Sequence, residues 1–437
     1  MLTQNPYLYE FNTKNPYTKP LIPIDKFETI HTKIQQHAVA YLCRIEPSNS
    51  ALYQSLAEEF KEELNYEPYK ESEREFFAGC FDPESNMFKS MFSFCVVQMA
   101  CYLRFLKERK MYKKELDQIE IKNPMYIISM PRSGSTFTHF CLVSDPHASS
   151  IQMYEHFCPG SKTMSEEGRL KIATTVVDSI NTNNDQFKSI HALNPRNPEE
   201  EYFFQTVQNE CFAHIGGLPR LEQYRCNAFT RNFDYVYEGI IDEMKMHLME
   251  FPLKDKDFIC MKCATHFITP IPFFKIMAKD EYNPRIVWIH RDPVKQLYSA
   301  ITAYLNAMGR LKDDLGINDY EFINNNVIYL HQLYLKNTLT VRESWIKENP
   351  ERKKFICDIS FKEMIQNPIE TTKKIYEYFG IEYSKEFDEA LKDMLENGQP
   401  QKEFGRKEAE TSKITFNPEE IRKSYDWYFN SEYGKYL

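Results

Sequence analysis

A single change of hydrophobic period between Met125 and Val143 constrains this chain most. Met125-Tyr-Ile-Ile-Ser-Met130 is an apolar, β-branched run long enough for one buried strand. It stops at Pro131 and turns through Ser133-Gly134-Ser135, where small residues let backbone N–H groups face an anion. From Thr136 to Val143 the apolar residues return at helical spacing, so a helix N-terminus points back into the turn. Strand, small-residue turn and helix N-terminus together make a phosphate cradle.

A Walker-type nucleoside-triphosphate loop would carry Gly at 129 and Lys at 135, where this chain has Ser129 and Ser135. The cation stands instead at Arg132, whose planar guanidinium suits bidentate contact with an oxyanion. The 437 residues hold 54 Lys+Arg against 63 Asp+Glu, a net charge of −9 without a basic tract, so nucleic acid is not an expected partner. The length allows a large core and more than one domain. Met1 to Glu10 lacks a secretory pattern, and the longest uncharged stretch, Ser90–Leu103, is shorter than a membrane span needs. With eleven scattered cysteines, a soluble protein of the reducing cytoplasm is expected.

Asn5-Pro6-Tyr7 and Asn15-Pro16-Tyr17 are turn signals in an N-terminal arm. Ile24 to about Glu120 reads as mainly helical, with Leu56, Phe60 and Leu64 on one face and a buried helix over Met91–Leu106. Residues 1–120 are thus expected to be a helical extension and 121–437 a catalytic domain. Beyond the cradle, Asn194-Pro195-Arg196-Asn197-Pro198 leads into a helix whose first turn is expected to hold Glu199, Glu200 and Glu201. Further apolar β runs lie at Asp257–Lys262, Arg285–His290 and Lys354–Ile359, with helices at Val294–Asn306 and around Pro368–Phe379. Strands separated by long helical connections imply an α/β fold, a central parallel sheet flanked by helices. Residues at the strands' carboxyl ends then share one edge. Arg132, Lys262 and Arg291 all occupy such ends, which suits a multiply anionic ligand.

These motifs resemble the sulfotransferases that use 3′-phosphoadenosine 5′-phosphosulfate (PAPS). Pro131-Arg-Ser-Gly-Ser-Thr136 is similar to their 5′-phosphosulfate loop in its Arg-bearing form, and Arg291-Asp-Pro with Ser299 is similar to their 3′-phosphate site. Lys262 to His266 resembles the Lys-x-x-x-His segment of the broad bacterial-type branch. Asn367-Pro368, Tyr378-Phe-Gly380 and Gln401–Lys407 resemble its closing segments. The likeness spans about Pro124 to Tyr433 and implies a P-loop-type three-layer fold.

It also implies roles. Backbone N–H groups at Ser133, Gly134, Ser135 and Thr136 hold the phosphosulfate, while Arg132 and Lys262 neutralise charge on the bridging oxygen. Arg291 and Ser299 grip the 3′-phosphate, and Lys402, Arg406 and Lys407 close over it. No metal is required. The acceptor, a small molecule, carbohydrate or other hydroxyl or amine, is deprotonated by a base. Glu155 is the expected base, near the glutamate of the tyrosylprotein enzymes, with His156 and His266 the alternatives. His266 could instead orient the Lys262 loop, and His139 is expected to pack. Cys260-x-x-Cys263 lacks the second close cysteine pair of a zinc site, so structural thiols are expected. The competing functions are a P-loop kinase or hydrolase, with Asp358 the weak magnesium candidate, and a nucleotide-binding protein without turnover.

Overall fold

All four apolar β runs are strands of one parallel sheet. The computed structural model describes residues 21–78, 83–183, 193–210, 221–254, 257–307, 319–398 and 414–437. The strands are β1 Met125–Ser129, β2 Ala148–Ser149, β3 Phe258–Lys262, β4 Arg285–His290 and β5 Ile356–Ser360. At two residues, β2 is too short to leave a period in sequence. The order is β2-β3-β1-β4-β5, all neighbours parallel, so β1 and its turn lie at the centre. The fourth run starts later than its apolar pattern, because Lys354 and Phe355 close the 3₁₀ helix Pro350–Phe355.

Strands β1, β3, β4 and β5 are largely buried on both faces, and their alternate residues enter different cores. Tyr126, Ile128, Met261 and Trp288 join the larger core, whereas Met125, Ile127, Cys260 and Val287 join the smaller. Helices Ser135–Val143, Pro368–Phe379 and Lys385–Asn397 cover the smaller one through Leu142, Ile375 and Leu391. Helices Asp234–Glu250, Pro293–Ala307 and Asp319–Glu348 cover the larger. This is the expected three-layer arrangement.

The described part of the N-terminal segment is helical and packs into the larger core. Phe27, Ile34 and Leu42 enter it from helix Ile24–Ile45, and Met99, Leu103 and Leu106 from helix Asn86–Met111. The latter contains the expected buried helix, and its N-cap Ser85 accepts a hydrogen bond from Phe88 N. Inside that core Arg104 pairs with Glu108 at 2.8 Å and donates to the Gly160 carbonyl at 3.0 Å, tying the segment to the chain after the cradle. No described helix is long and apolar enough to cross a membrane. The two Asn-Pro-Tyr turns lie outside the described residues.

Candidate active site

The cradle is built as its sequence suggests. Gly134, at φ +84°, is the N-cap of helix Ser135–Val143, and no side chain caps that helix. The N–H groups of its first turn are therefore open to a ligand. A Cβ at Gly134 would sit 2.7 Å from the Phe361 ring, so glycine is required by space as well as by φ. Ser133 is buried, and its Oγ has no hydrogen-bond partner among the described residues.

Arg132 also has a left-handed backbone, φ +67°, which costs a non-glycine residue roughly 1–2 kcal/mol. Three neighbours hold it there. Arg291 donates to the Arg132 carbonyl, Gln296 Nε2 donates to the Pro131 carbonyl at 2.6 Å, and Arg132 Nε donates to Ser299 Oγ at 3.2 Å. Strain held by surrounding contacts is typical of a functional turn. The Arg291 guanidinium lies over the Phe361 ring, 4.2 Å from its centroid, so the ends of β1, β4 and β5 meet here. Ser133, Arg291 and Gln296 also line a pocket with Met130, Phe267 and Trp288.

Lys262 comes in from the end of β3 with a wholly buried side chain. Its Nζ is 2.7 Å from Glu200 Oε1, 3.4 Å from Thr136 Oγ1 and 3.9 Å from Glu199 Oε2. Burial opposes its charge, but Glu199 and Glu200 outweigh burial and hold the ammonium above the ordinary lysine value. Burial lowers Arg132, and Glu200 partly offsets that. The other Glu200 oxygen accepts from Ala264 N at 3.3 Å.

Glu200 was not singled out from the sequence, because the three glutamates were expected inside a helix. The helix begins only at Tyr202, and its first turn carries no acid. Met153 N and Tyr154 N donate to the Asn197 and Pro195 carbonyls at 2.9 and 3.0 Å, and Pro198 bridges to Gln152. This pairing keeps Glu199 and Glu200 ahead of the helix, where both approach Lys262, while Glu201 turns toward His266. A proline-punctuated turn ending in an acidic run was the available signal.

Glu155 has both oxygens engaged. Oε2 accepts from Gln152 N at 2.9 Å, within a capping box that opens helix Met153–Phe157, and Oε1 accepts from His247 Nδ1 at 2.8 Å. Burial opposes its charge, but His247, the Gln152 N–H and Arg169 keep it below the usual carboxylate range. His156 is paired with Glu243 at 2.8 Å, and His266 Nδ1 lies 2.9 Å from the Tyr237 hydroxyl. None of these three contacts reaches the cradle. His139 packs behind the turn, with Nε2 3.0 Å from Ser150 Oγ, and burial followed by Lys262 pushes it down to about 4. Asp358 accepts from Arg342 at 2.6 and 2.7 Å and from His290 at 2.7 Å. It is thus engaged by the Arg342 guanidinium and the His290 ring. Lys402, Arg406 and Lys407 lie outside the described residues.

The site therefore joins Arg132, Ser133, Gly134, Ser135 and Thr136 with Lys262, Arg291 and Ser299 at one sheet edge, and adds Glu200. No curated protein matches this sequence. Sulfotransferase STF1 from Mycobacterium tuberculosis H37Rv superposes with a TM-score of 0.65 at 13% identity, covering 94% of this chain and 100% of that one. Sulfotransferase STF9 from Mycobacterium avium superposes at 0.64 and 15% identity, covering 82% and 91%. At such identities the likeness is one of fold. A profile described as the sulfotransferase family matches residues 124–385, more than half the chain, and on that match the chain belongs to the sulfotransferase family.

Proposed function

We propose that the chain transfers a sulfuryl group from PAPS to a hydroxyl or amine acceptor, with Glu200 as the base. The observation that carries this reading is the meeting of Arg132, Arg291 and Ser299 on one side of the cradle with Lys262 and Thr136 on the other. PAPS, when bound, supplies the sulfuryl group already activated as a phosphosulfate. The chain's residues fit such a group: an uncapped helix N-terminus, an unpartnered buried hydroxyl at Ser133, and two cations within reach of the turn. Arg132 and Lys262 would stabilise charge that develops on the leaving oxygen. Arg291 and Ser299 would hold the 3′-phosphate, with Arg406 and Lys407 completing that site. No magnesium is needed in this reading, because these cations supply the countercharge.

The choice of base follows from what each carboxylate already does. Glu155 is committed to a helix start and to His247, and neither contact reaches the cradle. Glu200 is the carboxylate beside both transfer-site cations, paired with Lys262 and felt by Arg132. His266, bonded to Tyr237, orients the loop that follows Lys262. A magnesium-dependent kinase or hydrolase has less support, since Asp358 is already held by Arg342 and His290.

Calorimetry and thermal shifts in magnesium-free buffer test the cofactor. 3′-Phosphoadenosine 5′-phosphate should bind and raise the melting temperature. Arg291→Ala should weaken it by about ten- to hundredfold, the worth of a charge-assisted hydrogen bond, and barely change adenosine 5′-phosphate. A thermal shift seen only with ATP and magnesium would overturn the reading.

A further inference from the structure

One residue beyond each partner of the Lys262–Glu200 pair, Glu201 and Cys263 turn away to a second cluster with His266. A carboxylate oxygen, the Cys263 Sγ and a His266 ring nitrogen all lie within 4.8 Å of one another, and all three residues are 1% exposed. Neither oxygen of Glu201 has a hydrogen-bond partner among the described residues, and neither does His266 Nε2. The carboxylate and Nε2 face each other at 3.9 Å, too far for a hydrogen bond. Buried polar atoms in native proteins almost always have partners, so three orphans in one buried cluster call for something between them.

The far side of the imidazole indicates what that is. Nδ1 lies 2.9 Å from the Tyr237 hydroxyl, which is 3.2 Å from the Thr269 carbonyl. Thr269 offers the Tyr237 proton two acceptors, its carbonyl and its Oγ1 at 2.8 Å, and with the proton given to either one, Tyr237 receives the Nδ1 proton. The Nε2 lone pair then faces the Glu201 carboxylate, an arrangement that repels unless a cation lies between. A histidine whose other nitrogen donates to an ordered partner is how metal ligands are oriented.

We propose that Glu201, Cys263 and His266 bind a zinc ion, which clips the glutamate segment to the loop after β3. Thiolate, imidazole and carboxylate together suit zinc and disfavour magnesium or calcium. Zinc bond lengths at tetrahedral angles set ligand atoms roughly 3.5 Å apart, so binding draws the three ligand atoms, now within 4.8 Å of one another, closer together. A water takes the fourth position. Binding replaces the Cys263 thiol proton, which is released to solvent, and no oxidant or reductant takes part. The Cys263 Sγ lies 2.9 Å from Thr265 Oγ1. The sequence led to Cys260 and Cys263 both being expected as structural thiols, and Cys260 does pack in the smaller core. Cys263 is joined instead by glutamate and histidine from separate segments. Held in this way, Glu201 and Cys263 fix their chain neighbours Glu200 and Lys262.

Full-length protein expressed in zinc-supplemented medium and dialysed should retain about one zinc per chain. Replacement by cobalt should give a near-ultraviolet thiolate-to-cobalt band. That band should vanish in Cys263→Ser and persist in Cys260→Ser, which controls for the other thiols. Glu201→Gln should lose the metal, and Tyr237→Phe should weaken it by about 10–100-fold. A metal-removing chelator should lower the melting temperature of the wild type and leave that of Cys263→Ser unchanged. Wild-type protein with no zinc above the level of Cys263→Ser, and no thiolate band with cobalt, would overturn the proposal. The cluster would then be a protonated His266 paired with Glu201, or a buried water. The wild-type measurements decide this even if a variant fails to fold.

Discussion

Glu200 and Glu155 separate two uses of a carboxylate. Glu155 is nearly inaccessible and spends both oxygens on its own helix and His247, so its amide variant should lose stability first. Replacing an N-terminal capping interaction costs about 0.5–2 kcal/mol, and the lost His247 contact adds to that. Glu200→Gln keeps the shape but cannot take a proton. It should retain 3′-phosphoadenosine 5′-phosphate and lose about 10²–10⁴ in the transfer of labelled sulfur from PAPS to an acceptor extract. If Glu155→Gln instead loses turnover at unchanged stability while Glu200→Gln works normally, the base is Glu155. The sequence could not separate the two. Glu155 stood beside a recognisable loop, while Glu200 reaches the cradle only because the backbone near Pro198 pairs with Gln152. Such pairing between distant segments leaves no local pattern. Arg132, Lys262 and Arg291 were legible because each lies at or just beyond the end of a strand, and parallel strands bring their ends to one edge.

At the scale of elements, the turn between β1 and helix Ser135–Val143 depends on Gly134 twice. Its φ of +84° strains any side chain, and the Phe361 ring occupies the place of a Cβ. That ring also carries the Arg291 guanidinium, so a displaced ring disturbs the proposed 3′-phosphate site. Gly134→Ala should therefore destabilise by about 2–4 kcal/mol, combining left-handed strain with overpacking. It should weaken nucleotide binding as well, whereas the usual glycine-to-alanine change in a compatible site stabilises. Urea midpoints at constant slope measure the first effect and calorimetry the second. Unchanged stability would mean the turn adopts another conformation. The periods of β1, β3 and β4 were readable because both faces of each strand are buried, which gives continuous apolar runs. Two-residue β2 was not readable, since its place comes from pairing with β3.

Across the whole molecule, the cradle is supported from the far side of the larger core. Gln296 donates to the Pro131 carbonyl and also lies 3.0 Å from His331 Nδ1, on helix Asp319–Glu348. His331 is 1% exposed, and burial alone pushes it down to about 3. Its ordinary value is about 6.5, so between these limits the unfolded chain binds a proton that the native chain refuses. Stability from the neutral ring is fully present above about pH 6.5 and is lost as pH falls through that window. From pH 7 to pH 5 the loss should be about 2 kcal/mol. His139, pushed down to about 4, acts in the same direction, and Glu243, pushed up to about 7 by burial despite His156, acts in the opposite one. Absolute curves therefore mix several groups, whereas a difference curve isolates one. His331→Leu removes this titration and should start below the wild type at pH 7.5, because Gln296 loses a partner. The gap should then narrow by about 2 kcal/mol on reaching pH 5. Urea unfolding of both proteins at several pH values gives the difference directly. Parallel curves would show that His331 does not carry the acid sensitivity of the core behind the cradle.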